Sequence, residues 1–247
     1  MDGAYGIRPA LPGGAFYEGF GLFGAISEPF GYDNAGFGWA VATVGQDIIV
    51  GEPFYDIPSV ATNVGQAYVV DGRTGQTIRT FTNPARTTSD QYGRSVGVVG
   101  GDILIGAPYT NLDTNGDDID DVIDAGVVYL YDPTGGSDPK QTFTNPDPGE
   151  IWDPGSDSDN FGWAVAGLGG NVLISALRGD HPDAADTGVV YLFDGVSGEL
   201  LQTFHNPTPE TGDGFGYSIA AVDGNVLVGA PYDDTKAKNA GAAYLFN

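Results

Sequence analysis

Residues 215–247 decide the fold: Phe215-Gly216-Tyr217-Ser218-Ile219-Ala220-Ala221-Val222, then Gly224-Asn225-Val226-Leu227-Val228-Gly229-Ala230-Pro231, then Gly241-Ala242-Ala243-Tyr244-Leu245-Phe246-Asn247. Each stretch is short, rich in β-branched and aromatic residues, and bounded by glycine, the pattern of a strand ended by tight turns. The same three stretches recur upstream. The Phe-Gly position is occupied by Phe37-Gly38, Tyr92-Gly93, Phe161-Gly162 and Phe215-Gly216. The second strand is a continuous apolar run, as burial on both faces requires. It reads Ile48 to Pro53, Ile103 to Pro108, Val172 to Leu177 and Val226 to Pro231, with glycine and proline both lost from the third copy. One Asp or Asn follows at a shared position, namely Asp56, Asn111, Asp180 and Asp234.

The third strand runs Ala67 to Asp71, Val127 to Asp132, Val189 to Asp194 and Ala243 to Asn247. In the first three copies its Asp opens a glycine-bearing hairpin turn into a fourth strand. That strand ends in a signature: Thr80-Phe81-Thr82-Asn83-Pro84, Thr142-Phe143-Thr144-Asn145-Pro146 and Thr203-Phe204-His205-Asn206-Pro207. Proline is tolerated at the end of an edge strand and not inside a sheet, so the fourth strand is the outer one. Helical periodicity is absent. Repeats of roughly 40–60 residues that hold four strands and no helix predict an all-β β-propeller. The blade repeats span 37–84, 92–146, 161–207 and 215–247, and the last stops before its fourth strand.

The missing strand has a counterpart at the other end of the chain. Ala25-Ile26-Ser27-Glu28-Pro29 aligns with the Asn-Pro signature, and Pro29 stands as far before Phe37 as Pro84 does before Tyr92 and Pro207 before Phe215. Residues 21–29 are therefore expected to be an orphan outer strand, preceded by an N-terminal arm over residues 1–20 that carries Phe16, Tyr17 and Phe20. An uncovered strand edge is a liability that proteins usually mask. Two solutions stand open: the strand closes its own ring, or it completes the last blade of a neighbouring copy by strand addition, which generates a filament when it does not close.

Phe-Gly, a strand, Gly-Ala-Pro and a following Gly-x-x-Tyr-Leu-Phe resemble the FG-GAP repeat, the blade of integrin α-subunit propellers and of many bacterial surface proteins. The resemblance covers residues 37–247 and implies four four-stranded blades in an extracellular, non-catalytic protein. It departs from the family in showing four copies where seven are usual. Asp113-Thr114-Asn115-Gly116-Asp117-Asp118-Ile119-Asp120-Asp121 resembles the family's calcium loop. Calcium takes six to eight oxygens in a loop of this kind. The resemblance assigns Asp113, Asn115, Asp117, the carbonyl of Ile119, and Asp121 as ligands of Ca2+. The loop follows the Gly-Ala-Pro strand, whereas the family commonly has it between the first two strands.

Thirty-three Asp and Glu against nine Lys and Arg give a formal net charge of -24, which repels nucleic acid and anionic membranes. No apolar run is long enough to span a membrane, and Met1 to Gly6 carries no signal-peptide pattern. Without cysteine there is no disulfide or thiolate site. Neither a Gly-x-Ser-x-Gly elbow nor a phosphate-cradling glycine loop appears, and the two histidines, His181 and His205, suggest no catalytic pair. Asp153 to Asp159, the Asp180, Asp183 and Asp186 group and Asp233-Asp234 read as solvated turns, and Asp90, Asp159 and Asp213 as turn-capping residues before each Phe-Gly. Arg178-Gly179-Asp180 falls where other copies have Pro-Tyr-Asp and reads as drift within the repeat. Exposed aromatics such as Trp39, Trp152 and Trp163 could stack on sugars, but Trp39 and Trp163 are expected to pack between blades.

The expectation is an extracellular calcium-binding propeller that self-assembles into a surface layer or filament, residues 21–29 completing the blade that ends at Asn247. The alternative is a self-closed monomer acting as an adhesin that binds a glycan or protein.

Overall fold

Strands form where the alternation and the apolar runs predict them, and glycine sets where each begins. Gly38, Gly93, Gly162 and Gly216 all lie near φ +90°, at +89°, +87°, +91° and +88°. Only a residue without Cβ adopts that conformation freely, so the Phe-Gly pair turns the chain sharply into the first strand of every unit. The structure, a computed structural model, describes residues 25–113, 122–148 and 158–247, and among them there is no helix.

Unit one comprises β1 (Ala40–Val44), β2 (Asp47–Glu52), β3 (Gln66–Val70) and β4 (Thr77–Thr82). Unit two is β5 (Ser95–Val99), β6 (Asp102–Ala107), β7 (Val127–Tyr131) and β8 (Gln141–Thr144). Unit three is β9 (Phe161–Leu168), β10 (Asn171–Ala176), β11 (Val189–Asp194) and β12 (Leu200–His205). Unit four has β13 (Ser218–Val222), β14 (Asn225–Ala230) and β15 (Ala242–Phe246). Every unit is an antiparallel meander in sequence order, so three sheets have four strands and the last has three. The hairpin Asp behaves as its turn requires: Asp194 Oδ1 accepts the N–H groups of Val196 and Ser197 at 2.9 and 2.7 Å, which holds its pKa below the usual range.

The units stack in order, β1 against β5, β5 against β9 and β9 against β13. Each interface is built alike, because a strand buried on both faces presents one apolar row backward and one forward. Ile49, Ala67, Val69 and Phe81 of unit one meet Ile103, Ile105, Val127 and Tyr129 of unit two. Leu104, Val128, Leu130 and Phe143 of unit two meet Val172, Ile174, Val189 and Tyr191 of unit three. Leu173, Val190 and Phe204 of unit three meet Val226, Val228 and Phe246 of unit four.

A ring is not what these contacts make. Among the described residues the sheets do not close between the first and last units, so the closed propeller expected from the repeats is not confirmed. The reason lies at both ends. The backward face of unit one, Val50, Tyr68 and Val70, is packed by Ile26 and Phe37 of its own chain. The forward face of unit four has no cover among the described residues. Ile49, Leu104 and Leu173 are fully buried at one repeat position and Leu227 there is 38% exposed. At another, Val69 and Leu130 are buried while Leu245 is 64% exposed.

Candidate binding face and open sheet edge

The shared polar residues are the mortar of the stack. The signature Asn donates its side-chain N–H to the Asp two residues before the next Phe-Gly: Asn83 to Asp90, Asn145 to Asp159, and Asn206 to Asp213 at 2.7 Å. All six residues are buried. The same Asn accepts from the N–H two residues on, at 3.0 Å for Ala85, 3.1 Å for Asp147 and 3.0 Å for Thr208. The capping role expected of these aspartates thus extends to tying each outer strand to the following unit. Burial pushes the Asp159 carboxyl up to about 7, with the Asn145 hydrogen bond opposing it and the nearby carboxylates Asp180, Asp147 and Asp186 adding to it. Burial also raises Asp213.

The Asp or Asn after the second strand closes the loop that follows. Asp56 Oδ1 accepts from Asn63 N–H at 2.7 Å, Asn111 from Asp124 at 2.9 Å, Asp180 from Asp186 at 2.8 Å, and Asp234 from Asn239. Asp180 of the Arg-Gly-Asp tripeptide is accordingly a loop fastener, in line with drift within a repeat.

Of the calcium ligands implied by resemblance, Asp113 is described; Asn115, Asp117, Ile119 and Asp121 lie outside the described residues. Leu112 and Val122 exchange backbone hydrogen bonds at 2.9 and 3.0 Å, and the Asn111–Asp124 bond lies just outside them. The chain therefore enters and leaves this segment side by side, as a ligand loop requires. Among the described residues no group of three or more His, Asp or Glu is placed to hold a metal.

Residues 25–29, the described part of the expected outer strand, form no strand and pair with none. Their alignment with the signature does have a structural counterpart: Glu28 Oε1 accepts from Phe30 N–H at 2.8 Å, the bond the signature Asn makes two residues on. The Asp partner is absent, since its place is taken by Ala35. The outer edge of β15 carries no strand among the described residues.

Sequence reasoning missed the most distinctive surface. The residues that follow the four Phe-Gly pairs come to the same end of the stack, because each starts the first strand of its unit. They are Trp39, Arg94, Trp163 and Tyr217. The Arg94 guanidinium lies 4.7 Å from the centre of the Trp39 ring and 4.2 Å from that of Trp163. Trp163 meets Tyr217 at 5.8 Å, and Tyr217 meets Tyr232 edge-on at 6.3 Å. Trp39 and Trp163 do bridge units as expected, yet through Arg94 and at the surface, where Trp39 is 51% exposed. Beside the row, Trp163, Leu177, Arg178, Asp186, Tyr217 and Tyr232 line a cavity of about 500 Å³. A second missed pairing is His181 with His205, whose rings meet edge-on at 5.2 Å; burial, then His181, lowers the His205 pKa.

No helix of the described residues is long and apolar enough to cross a membrane. No curated protein matches the chain. The crystal structure of the computationally designed Ika8 protein is similar at 15% identity and a TM-score of 0.47, covering 85% of this chain and 45% of that one. The family model of the FG-GAP repeat matches residues 153–193 and 207–246, the third and fourth units. Residues 153–193 and 207–246 are therefore similar to FG-GAP repeats, and units one and two repeat the same strands, glycine turns and Asn–Asp ties.

Proposed function

We propose that the protein is an extracellular, non-catalytic, calcium-binding subunit that assembles through its ends, residues 21–29 of one copy completing the β15 edge of the next. One observation carries this reading. Leu227 and Leu245 are exposed at repeat positions buried or half-buried in the preceding units, beside a strand edge with no partner among the described residues. Exposed sheet edges and apolar faces are the features that strand addition covers. Self-closure finds no support in residues 25–29, because Ile26 is committed to the core of unit one, at the far end of the stack. Calcium bound by Asp113, Asn115, Asp117, the Ile119 carbonyl and Asp121 would neutralise part of an acidic loop and stiffen it.

Light scattering at rising protein concentration tests the assembly. The intact chain is expected to form oligomers, and Leu245→Lys to remain monomeric with its melting temperature unchanged, since that side chain is mostly exposed. Deletion of residues 1–29 is expected to abolish assembly too, while also uncovering Val50 and Tyr68. An intact protein that stays monomeric at high concentration ends this reading. For calcium, chelation is expected to lower the melting temperature of the wild type and leave Asp117→Ala unmoved; a wild type indifferent to chelation removes the loop as a metal site.

A further inference from the structure

The Trp39–Arg94–Trp163–Tyr217 row is unusual electrostatically. The chain holds 33 acidic residues and nine Lys and Arg, so a cation with no acid beside it is unexpected. Arg94 is such a cation. No carboxylate among the described residues lies within ion-pair distance of it, and its side chain makes one hydrogen bond, to Gln91 Oε1 at 3.3 Å. Burial depresses its pKa, and the nearby Tyr109 and Tyr217 hydroxyls oppose that shift. An arginine keeps its charge through such a shift. A half-buried charge without a counterion is costly. Two tryptophan faces offset part of that cost, each cation–π contact giving roughly 0.5–2 kcal/mol.

The stack also decides what this row can accept. Arg94 already occupies one face of each tryptophan, so an incoming cation meets a filled aromatic slot and a like charge. An anion meets the N–H rim of a guanidinium that no carboxylate of the described residues uses, and carboxylates are its best-matched ligands. On either side lie flat aromatic faces, Trp39 half-exposed at one end and Tyr217 and Tyr232 at the other. They border the cavity that Arg178 also lines, within the range of small-ligand sites. Aromatic faces in series with a cation between them fit a chain of apolar-faced rings that carry carboxylates. The overall charge of -24 does not forbid this, because at physiological salt a field is screened within about 8 Å and the local arginine dominates.

We propose that this row is a binding site for an acidic polysaccharide, uronate residues stacking on Trp39, Trp163 and Tyr217 and a carboxylate pairing with Arg94. The site is complete within one copy and goes beyond the assembly reading, so its failure and that of self-association are separable.

The test is tryptophan fluorescence in a Trp152→Phe background, where Trp39 and Trp163 are the remaining tryptophans. The probe is galacturonic acid tetrasaccharide, with its methyl ester as the neutral control and a hexaglutamate peptide as the acidic non-sugar control. Saturable quenching by the uronate is expected, with at least tenfold weaker binding of the ester and of Arg94→Gln, and no binding of the peptide. Arg94→Lys, which keeps the charge and loses the planar fork, is expected to fall between. It also preserves the test if Arg94→Gln melts early. Absence of saturable quenching overturns the proposal. So does equal binding of acid and ester, wild-type affinity in a folded Arg94→Gln, or a peptide that binds as well as the sugar.

Discussion

Replacing Gly188 and Gly241 by alanine, one at a time, separates a covered unit from an uncovered one. Both start the third strand of their units, both have positive φ (+88° and +76°), and alanine costs both about 1–2 kcal/mol on that account. They differ in what a methyl group would meet. At Gly188 a Cβ falls 1.9 Å from the carbonyl oxygen of Phe215, in the next unit. Gly65 and Gly126 stand in the same relation to Tyr92 and Phe161, each at 2.1 Å. At Gly241 the nearest atom among the described residues is its own unit's Pro231 oxygen at 3.0 Å. A backbone oxygen cannot swing aside, so Gly188→Ala must prise unit four from unit three and give up part of the Leu173–Val228 packing. Overpacking of this kind adds about 1–3 kcal/mol, for a total of about 2–5 kcal/mol. Gly241→Ala should cost about 1–2 kcal/mol. Urea unfolding at a protein concentration low enough to keep the chain monomeric measures both. Equal losses would refute the reasoning, because the space beyond Gly241 would then be as full as that beyond Gly188.

Two further outcomes follow from the ties between units. The Asp159 carboxyl has a folded pKa near 7 against an ordinary 3.8, so its stabilising contribution is fully present below about pH 4 and is lost as pH rises through 7. That rise corresponds to about 4 kcal/mol as an upper bound; the melting temperature should fall between about pH 4 and 7, and Asp159→Asn should flatten that slope. An unchanged slope in the variant would assign the pH dependence to other groups. Asn206→Ala removes the buried donor to Asp213 and the acceptor for Thr208 N–H, and should cost about 1–3 kcal/mol; Thr208→Ala, whose side chain is not part of that tie, should leave it intact, and equal losses in the two would count against it.

Much of the strand order was legible because it is local. Alternation, apolar runs and glycine turns act within a few residues, and β1 to β15 fall where those patterns recur. The Asn-Pro signature and the Asp before Phe-Gly were visible as spacings, but their mutual hydrogen bond was not. It joins the end of one unit to the start of the next across a loop whose length varies. The same limit hid Arg94: as a lone charge in a Tyr-Gly-Arg triplet it carries no signal, and its meaning arises where the three neighbouring units set Trp39, Trp163 and Tyr217 around it. His181 and His205 likewise meet through tertiary packing.

The sequence by itself determined the unit: four copies of a meander, each with a forward and a backward apolar face, the last ending at its third strand. Repetition makes every internal interface the same, so it determined those as well. What happens at the two ends is a matter of competition between surfaces, and the tertiary structure alone decided it. Ile26 and Phe37 pack on the backward face of unit one, and among the described residues unit four does not reach that face. The forward face of unit four, with Leu227, Leu245 and the outer edge of β15, is left without cover among the described residues.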